Sequence, residues 1–428
     1  MSRTTITAIM GLSAGLLLAA EASLADTVTL NVMHAWPSHK RFHEPLAQEF
    51  MKLHPDIAIT YMAPAESYTD GQQKLLRGAM TDNLPDVYYS GYSYLGEAVR
   101  VLAEHDRVND LSSLLAAEGA DWRKANYADN VLQLGQIDGK QWAMPFTAST
   151  AIVYYNKDLF KSVGADPEAF PDNWDAVIEI AKKISAAGQA DGLSYALNDW
   201  GDDWLWQALI LNYGGTMMDP QKAHVTFGDA AGQKAVHLIR RFVTETKMPF
   251  LNEDQAIQQF ASGKLGIFIG STAEVRTMNE AVGGKFEYGT AGYPVADKEK
   301  GGLPTGGMAA VIITQDDAKQ KAAWEFIKFV TGPKGQEIVV RNSGYMPTNL
   351  RTAGAEYLGG FYEQNPDWTT SLKQWPIAKP WFGYPGTSGP RIWDEQKIIL
   401  SQIMRGEVSE EDGLAQLVAT TEKLAKGD

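Results

Sequence analysis

Apolar and polar residues along the chain alternate in blocks that predict strands and helices in turn. The first block predicts, in chain order, a strand at 28–33, a helix around 42–53, a strand at 57–62, a helix near 68–79 and a strand at 86–89. The first helix is identified by an apolar face made of Phe42, Leu46, Phe50 and Leu53. Pro45 falls in its first turn, where proline is tolerated. Such alternation is typical of βαβ units, in which helices cover a parallel sheet.

The same pattern restarts after residue 150. The second block predicts a strand at 151–155, a helix at 174–187, a helix that begins near Asp203, strands at 264–269 and 309–313, and a helix at 319–330. Gly332 and Pro333 follow the last helix and are typical of a helix end. The chain shows neither a solenoid repeat nor a low-complexity linker. We therefore predict two α/β lobes that are joined by extended strands.

The composition excludes several classes of function. With 428 residues, of which 44% are hydrophobic, the chain is long enough for two or three folded units. A formal net charge of −14 without any Lys/Arg run argues against nucleic acid as a partner. The chain has no cysteine, which excludes disulfides, cysteine-based metal sites and a lipid-modified cysteine anchor. Its 12 tryptophans and 17 tyrosines are a large aromatic supply.

Residues 1–25 have the layout of a cleavable secretory signal peptide. Arg3 precedes an apolar stretch from Ala8 to Ala20, and small residues lead to a cleavage site near Ala25 and Asp26. The apolar stretch is too short to span a bilayer. A helical N-terminal anchor is the alternative. We expect an exported mature chain in the periplasm of a Gram-negative bacterium.

Sequence motifs of common enzymes are missing. There is no phosphate-binding P-loop, no G-x-S-x-G elbow and no H-E-x-x-H zinc motif. His39 and His43 lie four residues apart beside Glu44, a spacing that could hold a metal ion. Pro45 and the lack of a further local ligand favour ordinary surface or core histidines. We predict no metal and no cofactor.

Carboxylates and tryptophans are interleaved near residue 200. The residues concerned are Asp199, Trp200, Asp202, Asp203, Trp204 and Trp206. This mixture suits a sugar site, because carboxylates accept hydrogen bonds from hydroxyl groups and aromatic planes pack on pyranose faces. It also suits the acid and base of a glycosidase. A third interpretation is a helix N-cap at Asp202 or Asp203 with the tryptophans in a core. All three stay open here.

Five segments carry a family pattern in order across the mature chain: 138–145 (DGKQWAMP), 154–160 (YYNKDLF) with Gly164, 260–264 (FASGK) leading to Gly270 and Ser271, 323–329 (AWEFIKF) and 344–348 (GYMPT). Together they resemble the extracellular solute-binding proteins of ABC importers, in the carbohydrate-binding group called family 1. Each segment alone is weak evidence for the family. Their order and spacing make the resemblance specific.

The resemblance implies a two-lobed α/β fold, the type II periplasmic-binding-protein or Venus-flytrap fold, with strands that cross between the lobes. By analogy, the N-terminal lobe would hold residues 26–148 and 296–342, and the C-terminal lobe 149–295 and 343–428. It also implies a monomer that binds a small-molecule carbohydrate between its lobes. Such a protein docks transiently on inner-membrane ABC permease subunits and catalyses no reaction.

Ligand-binding positions can be carried over from the glycerol-3-phosphate-binding members of that family. The aligned residues are Tyr68, Ser149, Ser271, Gly307, Tyr345 and Arg391. Where those members have an acidic residue after the third strand, this chain has Ser90, Gly91 and Tyr92, a departure that argues against glycerol phosphate. The structural alternatives are a turn at Gly306 and Gly307 and a surface ion pair at Arg391.

Aromatic residues complete the predicted site. The segment 380–389 (PWFGYPGTSG) sets Trp381 between proline and glycine residues, so we expect exposed aromatic side chains that contact ligand. His34 and Trp36 follow the first strand, at the strand end where α/β sheets bind ligands. Trp204 joins them from the interleaved segment, and a core position is the alternative for Trp36.

The sequence thus predicts a binder of a di- or oligosaccharide or of a glycoside. An anionic sugar or polyol phosphate, held by Arg391, Ser149 and Ser271, is the alternative within the same class. A secreted glycoside hydrolase that uses Asp202 or Asp203 is the alternative from another class.

Overall fold

The computed structural model describes residues 27–197, 202–219, 221 and 223–427. The predicted signal peptide, residues 1–25, lies outside the described residues. Among the helices of the described residues, none combines the length and the apolar character needed to cross a membrane.

Twelve strands are present in the described part of the chain. They are β1 (Val28–Met33), β2 (Ile57–Tyr61), β3 (Val87–Gly91), β4 (Gln136–Ile137), β5 (Lys140–Gln141), β6 (Met144–Ser149), β7 (Ala151–Asn156), β8 (Asp191–Tyr195), β9 (Leu265–Ser271), β10 (Tyr288–Gly292), β11 (Leu303–Ile312) and β12 (Ala378–Pro380).

The same residues form the following α-helices. They are α1 (Lys40–Leu53), α2 (Tyr68–Thr81), α3 (Tyr92–Ala103), α4 (Ser112–Ala117), α5 (Ala120–Asn126), α6 (Asp129–Leu132), α7 (Lys157–Ser162), α8 (Trp174–Ala187), α9 (Trp204–Asn212), α10 (Ala230–Thr246), α11 (Glu253–Ala261), α12 (Val275–Val282), α13 (Asp317–Val330), α14 (Pro333–Arg341), α15 (Gly359–Gln364), α16 (Gly389–Arg405) and α17 (Glu410–Ala425).

The first lobe is built on a sheet with the strand order β12-β11-β3-β1-β2, and β6 pairs with β11. Strands β1, β2 and β3 are parallel, as the βαβ pattern predicts. Strands β6 and β11, which the prediction of a parallel sheet from the first block did not include, add antiparallel pairs: β11 is antiparallel to β3 and to β6. The reason is the chain path: β6 leads out to the other lobe, and β11 returns from it in the opposite direction.

The second lobe is built on a sheet with the order β10-β7-β9-β8. Only β8 and β9 run parallel, and the other two pairs are antiparallel. Helix α10 packs on α8, α16 and α17, which covers this lobe with helices from the C-terminal part of the chain. The architecture is therefore the predicted two-lobed α/β fold, with mixed sheets.

The chain crosses between the lobes through extended segments. Strand β6 ends in the first sheet at Ser149 and β7 begins in the second sheet at Ala151, so Thr150 alone links them. A second passage runs from β10 to β11, and Met346 makes a further link through its N–H, which donates to the Ala148 carbonyl (2.7 Å). The predicted lobe boundaries stay a prediction. Strand β12 departs from them, because it falls within 343–428 and yet pairs with β11.

Helix α1 differs from its prediction at two residues. It begins at Lys40 after a short 3-10 turn, so Pro45 lies inside the helix rather than in its first turn. Phe42, Leu46 and Phe50 are buried, but Leu53 is exposed because the helix ends there. The apolar face therefore stops one turn earlier than its spacing predicts.

Candidate ligand-binding cleft

A cavity of about 360 Å³, which we call the cleft, is lined by residues from both lobes. Its volume lies in the usual range for small-molecule pockets. The lining residues are Trp36, Ser38, His39, Tyr68, Ser149, Asp202, Trp204, Glu253, Ser271, Ala273, Glu274, Gly306, Gly307, Tyr345 and Trp381. The structure thus brings together eight of the twelve residues predicted for the site.

Trp36 has the most exposed aromatic ring in the cleft, with 36% of its surface accessible. Its φ angle is 64°, a conformation that non-glycine residues seldom adopt. The Trp36 N–H donates to the Ala65 carbonyl at 2.7 Å, and the indole meets the Tyr68 ring edge-on at 5.7 Å between centroids. Strained backbone at an exposed tryptophan is a common mark of a functional position, and the predicted alternative of a core residue is wrong.

Trp204 and Trp381 line the cleft with buried rings whose N–H groups are already bonded. Trp204 Nε1 donates to the Pro304 carbonyl (2.9 Å), which joins α9 to the strand β11 of the first sheet. Trp381 Nε1 donates to the Asp203 carboxylate (3.2 Å). Both indoles are thus fixed in place, and they offer a ligand their carbon surface rather than a hydrogen bond.

The loop 380–389 is docked against α9 rather than exposed. Gln207 donates to the Phe382 carbonyl (2.9 Å) and accepts from its N–H (3.0 Å). Trp381 and Tyr384 are buried as a result. The expectation of exposed aromatic residues in this loop is wrong, because polar groups of α9 satisfy the loop backbone.

Gly306 and Gly307 let strand β11 approach β6 closely at the cleft. Gly307 has φ = 111°, and a Cβ there would lie 2.4 Å from the Thr147 carbonyl oxygen. A Cβ on Gly306 would lie 2.7 Å from the Ser149 Oγ and 3.2 Å from the Trp204 ring. Both glycines lie within β11, so the alternative of a simple turn is wrong.

Ser271, Tyr345 and His39 add polar groups to the cleft. Ser271 ends β9, and its Oγ accepts the Ala273 N–H at 3.1 Å. The Tyr345 hydroxyl lies 3.5 Å from His39 Nε2. Burial lowers the pKa of His39 to about 3, so its imidazole is neutral at physiological pH.

Three carboxyl groups enter the cleft, each at the N-terminus of a helix. Asp202 precedes α9, Glu253 is the first residue of α11, and Glu274 precedes α12. Asp203 is the N-cap residue of α9 and makes no side-chain capping bond, whereas Asp202, one residue earlier, accepts the Trp204 N–H at 2.9 Å through Oδ1. Helix N-termini attract anions, and here protein carboxylates occupy them.

Burial raises the pKa values of these carboxyl groups. For Asp202 the pKa rises to about 8, which the neighbouring Asp203 increases and the Trp204 N–H opposes. Burial also raises the pKa of Glu253, helped by the nearby charge of Glu274. The pKa of Glu274 rises through burial although Thr277 and Arg41 act to lower it.

Three predicted residues near the first-sheet strand ends lie outside the cleft lining. His34 is buried and stacks on His43, with 4.1 Å between ring centroids. Ser90 is fully buried and donates to the carbonyl of the next residue at 3.2 Å. Tyr92 begins α3 and donates its hydroxyl to the Thr147 carbonyl (2.9 Å). All three side chains are buried and have hydrogen-bond partners within the protein, which for His34 and Ser90 are the carbonyls of the next residue.

Arg391 also lies outside the cleft lining. It is exposed in the first turn of α16, and its role in ligand binding stays a prediction. Glu253, Glu274 and Ser38 line the cleft although they were not predicted. Glu253 and Glu274 lie near the segments 260–264 and 270–271 but belong to neither. The one signal in the sequence that indicates them is an acidic residue at the start of a predicted helix.

The hydrolase and metal alternatives can be compared with this geometry. Asp203 is buried, and its carboxylate accepts from Gln207 at 3.1 and 3.0 Å and from Trp381, which leaves Asp202 as the cleft-lining member of the pair. Asp199 and Trp200 lie outside the described residues. Within the described ranges, no three His, Asp or Glu side chains are grouped so that they could hold a metal ion.

Residues 36–337 match the family described as bacterial extracellular solute-binding protein. The chain belongs to this family. Its members are substrate-binding proteins rather than enzymes. The sn-glycerol-3-phosphate-binding periplasmic protein UgpB of Pectobacterium atrosepticum is 25% identical over 269 residues, which cover 61% of this chain and 59% of that protein. The match to UgpB of Escherichia coli K12 is 24% identical and covers 60% of that protein, so this chain aligns with about three fifths of these relatives.

Solved structures of solute-binding proteins share the fold. UgpB from Mycobacterium tuberculosis, in complex with glycerophosphocholine, has a TM-score of 0.79 at 20% identity, and the match covers 92% of this chain and 98% of that chain. The sugar-binding protein MalE from Xanthomonas citri has a TM-score of 0.78 at 20% identity, with coverages of 93% and 98%. The cyclic alpha-maltosyl-1,6-maltose binding protein from Arthrobacter globiformis has a TM-score of 0.77 at 21% identity, and the match covers 94% of this chain and 100% of that chain.

Proposed function

We propose that this solute-binding protein captures a carbohydrate in the cleft and delivers it to the permease of an ABC importer from the periplasm. The observation that carries the proposal is the cleft itself. Its walls combine five aromatic rings with hydroxyl, carboxyl and glycine backbone groups. Aromatic planes pack on the apolar faces of sugar rings, and the polar groups bond to hydroxyls.

A carbohydrate fits the charge of the cleft better than a phosphate does. The lining among the described residues contains no lysine or arginine. Carboxyl groups occupy three helix N-termini that could otherwise attract an anion. The polyol-phosphate alternative relied on Arg391, which is exposed outside the cleft.

Ligand binding shifts the population of lobe arrangements toward the closed one. A sugar favours the closed arrangement only as far as it contacts that arrangement better than the open one. The closed protein, acting as a monomer, then docks on the permease subunits. A micromolar dissociation constant corresponds to about −8 kcal/mol, which stacking on a few aromatic rings and several hydrogen bonds can supply.

The test is a thermal-shift screen of the mature protein against mono-, di- and oligosaccharides and polyol phosphates, followed by calorimetry on the hits. We expect neutral sugars to raise the melting temperature and polyol phosphates to have no effect. The bound sugar should be recovered intact. Release of a monosaccharide from a glycoside would overturn the binding role, and selective stabilisation by a phosphate would overturn the substrate class.

A further inference from the structure

The cleft has a surplus of acidic groups without a counter-charge. Asp202, Glu253 and Glu274 all line it, and none of the three forms an ion pair with a described basic residue. Burying carboxylates without a partner is costly, because a low-dielectric site disfavours isolated charge. An empty cleft meets this cost by protonation, as the raised pKa values indicate.

The basic side chains whose charge acts on the cleft carboxyl groups form ion pairs elsewhere. Arg41, whose charge acts on Glu274, pairs with Glu280 at 3.3 Å. Lys397, whose charge acts weakly on Asp202, pairs with Asp394 at 3.0 Å. A cation that compensates the three cleft carboxylates therefore has to come from outside the chain.

A second observation points to a polar ligand at the same place. Ser149 is only 4% exposed, lines the cleft, and has no hydrogen-bond partner for its hydroxyl among the described residues. Because the rest of this side chain is buried and its hydroxyl faces the cleft, a ligand in the cleft could bond to it. The aromatic rings that line the cleft, of which Trp36 is the most exposed, would also attract a cation through their π faces.

From this geometry we infer that the natural ligand carries a positively charged nitrogen beside its hydroxyl groups, as an amino sugar does. The nitrogen would lie among Asp202, Glu253 and Glu274, and a ligand hydroxyl would bond to Ser149. The inference rests on the proposed function of the cleft as a carbohydrate site.

The experiment compares matched ligands by calorimetry at about neutral pH. One set is glucose, glucosamine, N-acetylglucosamine and glucuronate; the other is cellobiose, its diamino analogue (fully deacetylated chitobiose) and N,N'-diacetylchitobiose. Choline tests a charged nitrogen without a sugar. We expect the amine to bind at least about ten-fold more tightly than the hydroxyl or acetylated member of its set, and glucuronate to bind most weakly.

Variants of the cleft carboxyl groups test whether these groups cause the preference for amines. Glu253→Gln and Glu274→Gln should each reduce the ratio of amine affinity to neutral-sugar affinity about five-fold, because the amide keeps a hydrogen-bonding oxygen but loses the negative charge. Glu104→Gln, an exposed acidic residue away from the cleft, is the matched control and should leave this ratio unchanged. Choline binding without sugar binding would mean that the cation alone is recognised, which contradicts the amino-sugar assignment.

Two outcomes separate this inference from the proposed function. If neutral sugars bind and their amine analogues bind no better, the inference is wrong and the carbohydrate function stands. If no sugar of either set binds, both are wrong. A preference for amines that persists in both variants would also overturn the placement of the charge.

Discussion

Trp36 shows how a single residue is held in a costly conformation at the cleft. Its positive φ angle costs about 1–3 kcal/mol for a side chain of this size, while the ring stays more than one third exposed. Neither feature benefits the core. Both are accounted for if the indole packs on a ligand.

We expect Trp36→Ala and Trp36→Gly to weaken sugar binding by about 1–3 kcal/mol, because both remove the stacking surface. Trp36→Gly should be the more stable of the two, since glycine accepts a positive φ without strain. Calorimetry measures the affinity and denaturant unfolding the stability. Leu53→Ala, another exposed apolar residue outside the cleft, is the control. Unchanged affinity in both Trp36 variants would remove this residue from the site.

Asp202 should make the folded protein less stable as the pH rises. Its folded-state pKa is about 8, whereas an unfolded aspartate titrates near 4. The folded protein therefore holds the extra proton between these values, and the free energy of unfolding falls as the pH rises through that window. In Asp202→Asn this part of the decrease should disappear. Denaturant unfolding at several pH values measures it, with Asp121→Asn, on the exposed surface, as control.

At the scale of elements, the cleft depends on strand ends and helix starts that meet at one place. Strands β6 and β9 end there at Ser149 and Ser271, and β11 passes through it at Gly306 and Gly307. Helices α9, α11 and α12 begin there with carboxyl groups. The close approach of β11 to β6 is what allows these groups to share a small cavity.

Gly307→Ala should disturb this meeting point. The new Cβ would clash with the Thr147 carbonyl and force a positive φ on alanine, so we expect a loss of about 1–3 kcal/mol in stability together with weaker ligand binding. Gly139→Ala has a positive φ but open space around its Cβ and should cost only about 1 kcal/mol. Equal losses in the two variants, by denaturant unfolding, would contradict the close-approach explanation.

At the scale of the whole molecule, the two lobes contact each other at a salt bridge as well as through the crossing strands. Arg41 on α1 of the first lobe pairs with Glu280 on α12 of the second at 3.3 Å, and lies 3.4 Å from the Thr277 hydroxyl. Both side chains are exposed, so the pair contributes at most about 1 kcal/mol. Such an energy is small for folding but matters for an equilibrium between lobe arrangements.

We expect Arg41→Ala to shift the unliganded protein toward wider lobe separation and to raise its radius of gyration in small-angle X-ray scattering. The melting temperature should barely change. Arg100→Ala breaks a comparable exposed pair with Asp138 that lies within the first lobe, and it should leave the radius unchanged. Equal scattering from both variants and the parent protein would show that the pair does not hold the lobes together.

Much of the architecture could be predicted from local patterns. The helix 174–187 and the first strand 28–33 have the predicted bounds, because both depend on periodicity and nearby stop residues. The strand predicted at 309–313 begins six residues earlier, at Leu303, since its first half holds proline and glycine residues that only pairing with β6 and β12 makes extended. The parallel direction of β1, β2 and β3 was predicted, but the antiparallel pairs made by β6, β7, β10 and β11 were not, because they depend on the long-range chain path.

The residues of the site also fall into two groups, those that could be predicted from the sequence and those that depended on the tertiary structure. Trp36 could be named from the sequence because it follows the first strand, whereas Ser149, Ser271 and Tyr345 were named because the segments that hold them resemble the family. Which polar groups turn inward depended on partners far away in the chain, as with Asp203, which is held by Trp381, and Ser90, which is buried under neighbouring strands. The acidic character of the cleft also depended on tertiary structure, because Asp202, Glu253 and Glu274 are brought together only when the helices at whose N-termini they lie pack around one cavity.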